Sequence, residues 1–204
     1  MRARLLVLAS LVAIGAHADN TLTVPNVLST VDVQASSTQL SNLFASAQAA
    51  LTTLGPIASN QNNTYSIGLQ LGAIHTLATY CNQSTSSACN SSDVQQVYST
   101  LTGLISTNQL AQSGASVLVL RAAIESLGQL PEQPNELADF VEPYLQHPSR
   151  DIRTSAARTL RTLGDSCAVL ALRTRYQEEP TDQVRFAISD ALAALSTLPA
   201  CPTP

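Results

Sequence analysis

The chain repeats itself. Laid over each other at an offset of 32, residues 136–164 and 168–196 place Leu137 on Val169, Phe140 on Leu172, Tyr144 on Tyr176, Pro148 on Pro180 and Arg153 on Arg185. After each proline comes an apolar series: Ile152, Ala156, Leu160 and Leu163 in the first unit, Val184, Ile188, Leu192 and Leu195 in the second. Both series step by 4, 4 and 3, which keeps them on one face of a helix. Each unit therefore reads as helix, Pro-containing turn, helix. Ser149 and Thr181 follow the prolines, where a hydroxyl can cap the second helix. Asp151 and Asp182 fall in its first turn, where a carboxylate suits the helix dipole. A hairpin this small cannot bury its apolar stripe alone, so several must stack, and the period predicts an α-solenoid.

Upstream the spacing is also helical. Leu40, Leu43, Phe44, Ala47, Leu51 and Leu54 line one face of a helix expected over residues 37–54, and Ile67, Leu71, Ile74, Leu77 and Ala78 do the same over residues 64–80. A weaker third copy of the unit lies at an offset of 36, with Leu101 and Leu104 matching Leu137 and Phe140, and Leu120, Ile124 and Leu127 matching Ala156, Leu160 and Leu163. LGPIASNQNN, CNQSTSSACNSS, STNQLAQSG and GQLPEQPN punctuate the helices as loops. TLTVPNV is too short, and too broken by Pro25, to read as a strand. The expected organisation is an irregular lead-in over residues 19–36 and an all-α repeat domain over residues 37–204. That domain divides into a divergent hairpin (37–80), a weak repeat (93–128), two clear repeats (134–164 and 167–196) and a tail (197–204), about four stacked antiparallel hairpins in all.

VEPYLQHPSRDIRTSAARTLRTLG, residues 141–164, and EPTDQVRFAISDALAALS, residues 179–196, resemble HEAT repeats, particularly the short HEAT-like type. Ile152-Arg153 and Val184-Arg185 carry the signature, a β-branched residue and arginine opening an Ala- and Leu-rich second helix. The likeness is good over residues 136–196, moderate over 93–128 and architectural before that. It implies a right-handed α-solenoid with a concave face for protein contacts and no catalytic residues. It also implies that Arg153 and Arg185 join a ladder between neighbouring repeats, pairing near the turn with Asp151 and Asp182 or with backbone carbonyls.

The N-terminus carries a different signal. Arg2 and Arg4 precede the apolar run LLVLASLVAI, and Ala16-His17-Ala18 puts small residues where a signal peptidase reads, so residues 1–18 are expected to be a cleaved signal peptide. The run is shorter than the about 20 residues a bilayer span needs. A secreted or periplasmic chain with four cysteines is expected to form disulfides. Proximity favours Cys81 with Cys89, leaving Cys167 with Cys201; that second bridge would join the start and end of the last hairpin, which lie at one pole. The net charge of −4 becomes −6 without Arg2 and Arg4, there is no lysine, and residues 19–120 hold only Asp19, Asp32 and Asp93 as charges. That balance excludes a general nucleic-acid binder, whose affinity comes from cations on phosphate.

Candidate site residues are few. Arg150, Arg158 and Arg161 fall at spacings of 8 and 3, roughly one side of a helix, and form a possible patch for an acidic partner. His75 lies near Cys81, but without the CxxC or HxxxH spacing of a zinc site, so no metal is expected. No GxSxG, SxxK, HExxH or phosphate-binding loop is present, so neither catalysis nor a cofactor is expected. Asn62, Asn82 and Asn90 open N-glycosylation triplets in expected loops. The leading expectation is an exported, non-enzymatic helical-repeat scaffold with a protein partner. Its rivals are a carrier or sensor of a lipidic or small ligand and a structural or adhesive component that self-associates.

Overall fold

Capping residues set where the helices begin. In the computed structural model, which describes residues 23–28, 36–82, 89–130, 134–199 and 201, Ser36 and Ser46 accept the Gln39 and Ala49 amides and start two separate helices, α2 (Ser37–Leu43) and α3 (Ala47–Ser59). One continuous helix over residues 37–54 is therefore corrected: Phe44 is extended and the chain turns through residues 45–46. The apolar series survives the break because Leu40, Phe44, Ala47, Leu51 and Leu54 are all buried. At its other end α3 runs through Gly55 and Pro56, which sequence assigns to a loop, and closes at Asn60 in the left-handed region. Burial of Ile57 and Ala58 offsets the backbone hydrogen bond that Pro56 cannot donate.

The remaining helices are α4 (Ile67–Asn82), α5 (Ser91–Asn108), α6 (Gly114–Leu127), α7 (Pro134–Val141), α8 (Arg150–Leu163), α9 (Val169–Glu178) and α10 (Asp182–Leu195). Short 3-10 turns, Glu142–Gln146 and Ser166–Ala168, follow α7 and precede α9. No strand occurs among the described residues. Gly164 takes φ +71°, the left-handed C-cap of α8 that suits glycine. Part of the lead-in is helical rather than irregular: α1 (Val24–Leu28) lies on α4, with Val27 and Leu28 buried. Gly72 permits that contact, because a Cβ there would fall on the Leu28 carbonyl oxygen. The expected signal peptide, residues 1–18, lies outside the described residues.

The helices pair as α3–α4, α5–α6, α7–α8 and α9–α10, and the second members α4, α6, α8 and α10 pack on one another in that order. Small buried residues, Ala122 and Ala123 on α6, Ala156 and Ala157 on α8, Ala187 and Ala191 on α10, allow this close spacing. Between the layers Leu77, Leu101, Leu120, Ile124, Ile152 and Leu160 are fully buried, each stabilising the array by about 1.5–3 kcal/mol. The result is a helical-repeat solenoid. Cys81–Cys89 ties the end of α4 to the residues before α5, and Cys167–Cys201 ties the turn before α9 to the segment after α10. No helix among the described residues is long and apolar enough to cross a membrane.

Candidate functional site

The recurring arginine of the third hairpin is consumed in a buried joint. Arg153 donates from Nε and Nη2 to the two carboxylate oxygens of Glu179, each at 2.8 Å, and from Nη1 to the carbonyls of His147 and Pro148, each at 2.9 Å. Arg175 donates to the same carboxylate at 2.9 and 2.7 Å and to Gln146 at 2.6 Å, while the Thr181 amide donates to Glu179 at 3.0 Å. Burial alone would push the Glu179 carboxyl up, but the hydrogen bonds from Arg153, Arg175 and Thr181 and the charge of Arg153 outweigh it, and the carboxyl falls to about 2. The arginine thus does use backbone carbonyls near the turn, as the repeat resemblance implies.

Its acidic partner differs from the expected one. Asp151 is exposed and meets only Arg150, at 3.8 Å, and Asp182 forms no ion pair among the described residues. Both are exposed in the first turn of their helices. Arg185 does not join a ladder either; it is exposed and lies over the Tyr176 ring, 5.0 Å from its centroid. No further described unit packs beyond it to supply a carboxylate.

Glu179 was not among the residues that sequence singles out, yet its position recurs. It precedes Pro180 as His147 precedes Pro148. The two side chains do the same local work: His147 Nδ1 accepts the Ser149 amide at 3.1 Å where Glu179 accepts that of Thr181. Ser149 and Thr181 make no side-chain cap bond, and their own amides, not those of the first helical turn, donate to His147 and Glu179. His147 also reaches back a unit, donating from Nε2 to the Gln109 carbonyl at 3.1 Å. Burial pushes its imidazole below the usual histidine value.

Smaller rungs join the second helices. Ser155 donates to Glu125 at 2.7 Å, Glu125 also holds Arg121 at 2.9 Å, and Thr159 donates to the Ile124 carbonyl at 3.3 Å. Ser126 lies 3.4 Å from both the Ile74 carbonyl and His75 Nδ1. Ser126 is buried, so this Ser–His pair is a rung between α4 and α6 and presents no nucleophile to a substrate. Burial lowers the His75 imidazole, Glu125 partly opposing and Arg121 assisting.

The three arginines of the expected patch are exposed on α8 but unequal. Arg150 lies beside Asp151, Arg161 pairs with Asp190 at 3.3 Å, and Arg158 has no ion pair among the described residues. Of the glycosylation triplets, Asn62 is exposed in the turn after α3. Asn82 is the last residue of α4, not a loop residue, and Asn90 caps α5, its Oδ1 accepting the Asp93 amide at 3.0 Å. A groove of about 960 Å³ opens between α3 and α5, with Leu51, Leu104 and Val119 among Ser, Thr, Asn and Gln side chains.

Residues 107–193 match the family model of HEAT repeats. Neither a curated protein nor a solved structure matches the chain.

Proposed function

We propose, from the match of residues 107–193 to the family model of HEAT repeats, an exported, non-enzymatic scaffold that binds a protein partner. Repeats of this family commonly carry protein–protein contacts and are generally non-catalytic. The observation that carries the reading is the Arg153–Glu179 joint. Among the described residues, the most heavily bonded charged cluster holds units in register, and what remains outward is an extended helical surface. Of the three exposed arginines of α8, Arg158 is the best cation for an acidic partner, since Arg150 and Arg161 have acids beside them. The disulfides suit an extracellular or periplasmic compartment. N-terminal sequencing of the protein from cells tests export: it should begin at Asp19. Affinity capture with the oxidised protein tests the scaffold role. One enriched protein, lost on Arg158→Glu, supports it; an eluate no different from that of a scrambled-surface control removes it.

A second reading rests on the groove between α3 and α5. Its uncharged lining suits a small neutral ligand better than a charged one, which would be desolvated there without a counter-charge. Mass spectrometry of solvent extracts from the purified protein decides it: a stoichiometric small molecule favours a carrier.

A further inference from the structure

The scaffold reading leaves open where a partner sits, and the inference below rests on it. On α8, the residues that face α10 are buried: Arg153 is 7% exposed, Thr154 3% and Ala157 0%. At the repeat offset of 32 their counterparts on α10 are Arg185, Phe186 and Ser189, and all three are exposed. Phe186 reaches 74%. The first helices show the same reversal, with Ala138 at 1% and its counterpart Leu170 at 76%. Leu198, also exposed, lines a shallow depression with Leu170 and Arg173. The outward face of a repeat array normally turns polar residues to water. This one turns out phenylalanine and leucine at the positions that a neighbouring unit covers in the preceding repeat.

We propose that this far face of the α9–α10 hairpin docks a helical hairpin of another protein, one that carries a carboxylate just before the turn between its helices. The chemistry of the occupant follows from the preceding joint. Arg153 receives Glu179, the residue before the Pro180 turn of the next unit, through two bonds of 2.8 Å. Arg185 stands in the equivalent place with no ion pair among the described residues, held only over Tyr176. Asp182, one turn earlier on the same helix, does not pair with it. Arg173 adds a second exposed cation to the face. The fit is therefore for an acid framed by small apolar side chains, the same surface that α9 and α10 offer to α8. A second copy of the chain does not supply it. Two such faces laid together set arginines against arginines, and at the opposite end of the array α1 packs on α4.

Photo-crosslinking tests this. The full chain is produced in its native cells with benzoylphenylalanine at position 186, a replacement close in shape to Phe186, and in parallel with the same group at position 158. Illumination should join position 186 to one helical protein, at a peptide containing Asp or Glu. Arg185→Glu should lower that yield about tenfold or more, and changing the partner's acid to arginine should restore it. Arg185 is exposed, so the melting temperature of Arg185→Glu should stay at the parent value, which separates lost docking from lost folding. An adduct only with another copy of the chain, or a yield indifferent to Arg185→Glu, overturns the proposal. An adduct at 158 with none at 186 also overturns it while leaving the scaffold reading intact; adducts at neither position, with an empty affinity capture, remove both.

Discussion

Glu179 accepts N–H groups from Arg153, Arg175 and Thr181, and no buried polar side-chain atom is left without a partner among the described residues. A buried, fully bonded pair adds little over an apolar substitute, but removing one member strands the other. Glu179→Gln keeps the shape and removes the charge facing two arginines, so it should destabilise the fold by about 3–5 kcal/mol in urea unfolding. Arg185→Ala, at the equivalent repeat position but exposed, should change stability by less than about 0.5 kcal/mol. A gap of that size between the two measurements would show that recurrence in sequence is not equality in energy. The pH dependence has a defined sign. Glu179 falls from 4.5 unfolded to about 2 folded, so its contribution, on the order of 3 kcal/mol, is full above pH 4.5 and lost as pH falls through about 2. Burial, assisted by the charge of Arg153, holds the His147 imidazole below 6.5, although its bond to the Gln109 carbonyl favours the charged form. Its contribution is full above pH 6.5 and declines below it. Urea midpoints between pH 8 and 2 should fall in two stages, and His147→Gln should shrink the upper one, which the buried His75 shares. Arg153 was legible in the sequence because arginine recurs at its repeat partner. Glu179 was not, because its repeat partner is histidine: the position recurs while the residue type changes.

At the scale of the element, periodicity locates buried faces better than it locates ends. Leu40 to Leu54 keeps helical spacing across the turn at residues 45–46, so the apolar pattern alone reads α2 and α3 as one helix. The sign of the break was Ser46, a cap residue inside the run. Pro56 misleads in the other direction, since it reads as a loop while tertiary burial keeps it helical. The cysteine pairs were legible because only one near neighbour exists for Cys81, and because the hairpin reading brought Cys167 and Cys201 to one pole. Reduction of Cys167–Cys201, by Cys201→Ser, should cost about 4 kcal/mol on chain-entropy grounds, against about 2.5 kcal/mol for the Cys81 loop. Differential scanning calorimetry of the two single-bridge variants gives the comparison. The α1–α4 contact was not legible, since Gly72 looks like any helical glycine until Leu28 is placed on it. Gly72→Ala should cost about 1–3 kcal/mol by overpacking, with hydrogen exchange rising in residues 24–28 before anywhere else.

Across the whole molecule the joints change character along the array. Between α4 and α6 the rung is a serine on a carbonyl; between α6 and α8 it is a serine on Glu125 with His147 reaching to Gln109; between α8 and the last hairpin it is a buried arginine–carboxylate pair. This gradient follows the sequence, in which residues 19–120 hold only three charges and the arginines of the repeats begin at Arg121. The stability of a stacked array is close to a sum of unit and nearest-neighbour terms, so damage at one joint should stay local. Glu179→Gln severs the strongest polar contact of the α9–α10 hairpin and leaves every contact of α3 to α6 in place. Amide exchange in α9 and α10 should therefore rise about a hundredfold, the equivalent of about 3 kcal/mol, while α3 to α6 keep parental rates. The intact Cys167–Cys201 bridge holds the hairpin together as it detaches, so its two helices should lose protection together. A uniform loss across all the helices would instead mean that the chain unfolds as a single block, with the joints coupled along its whole length. A rise confined to α9 and α10 would mean that this hairpin opens as a unit of its own, independently of the helices before it.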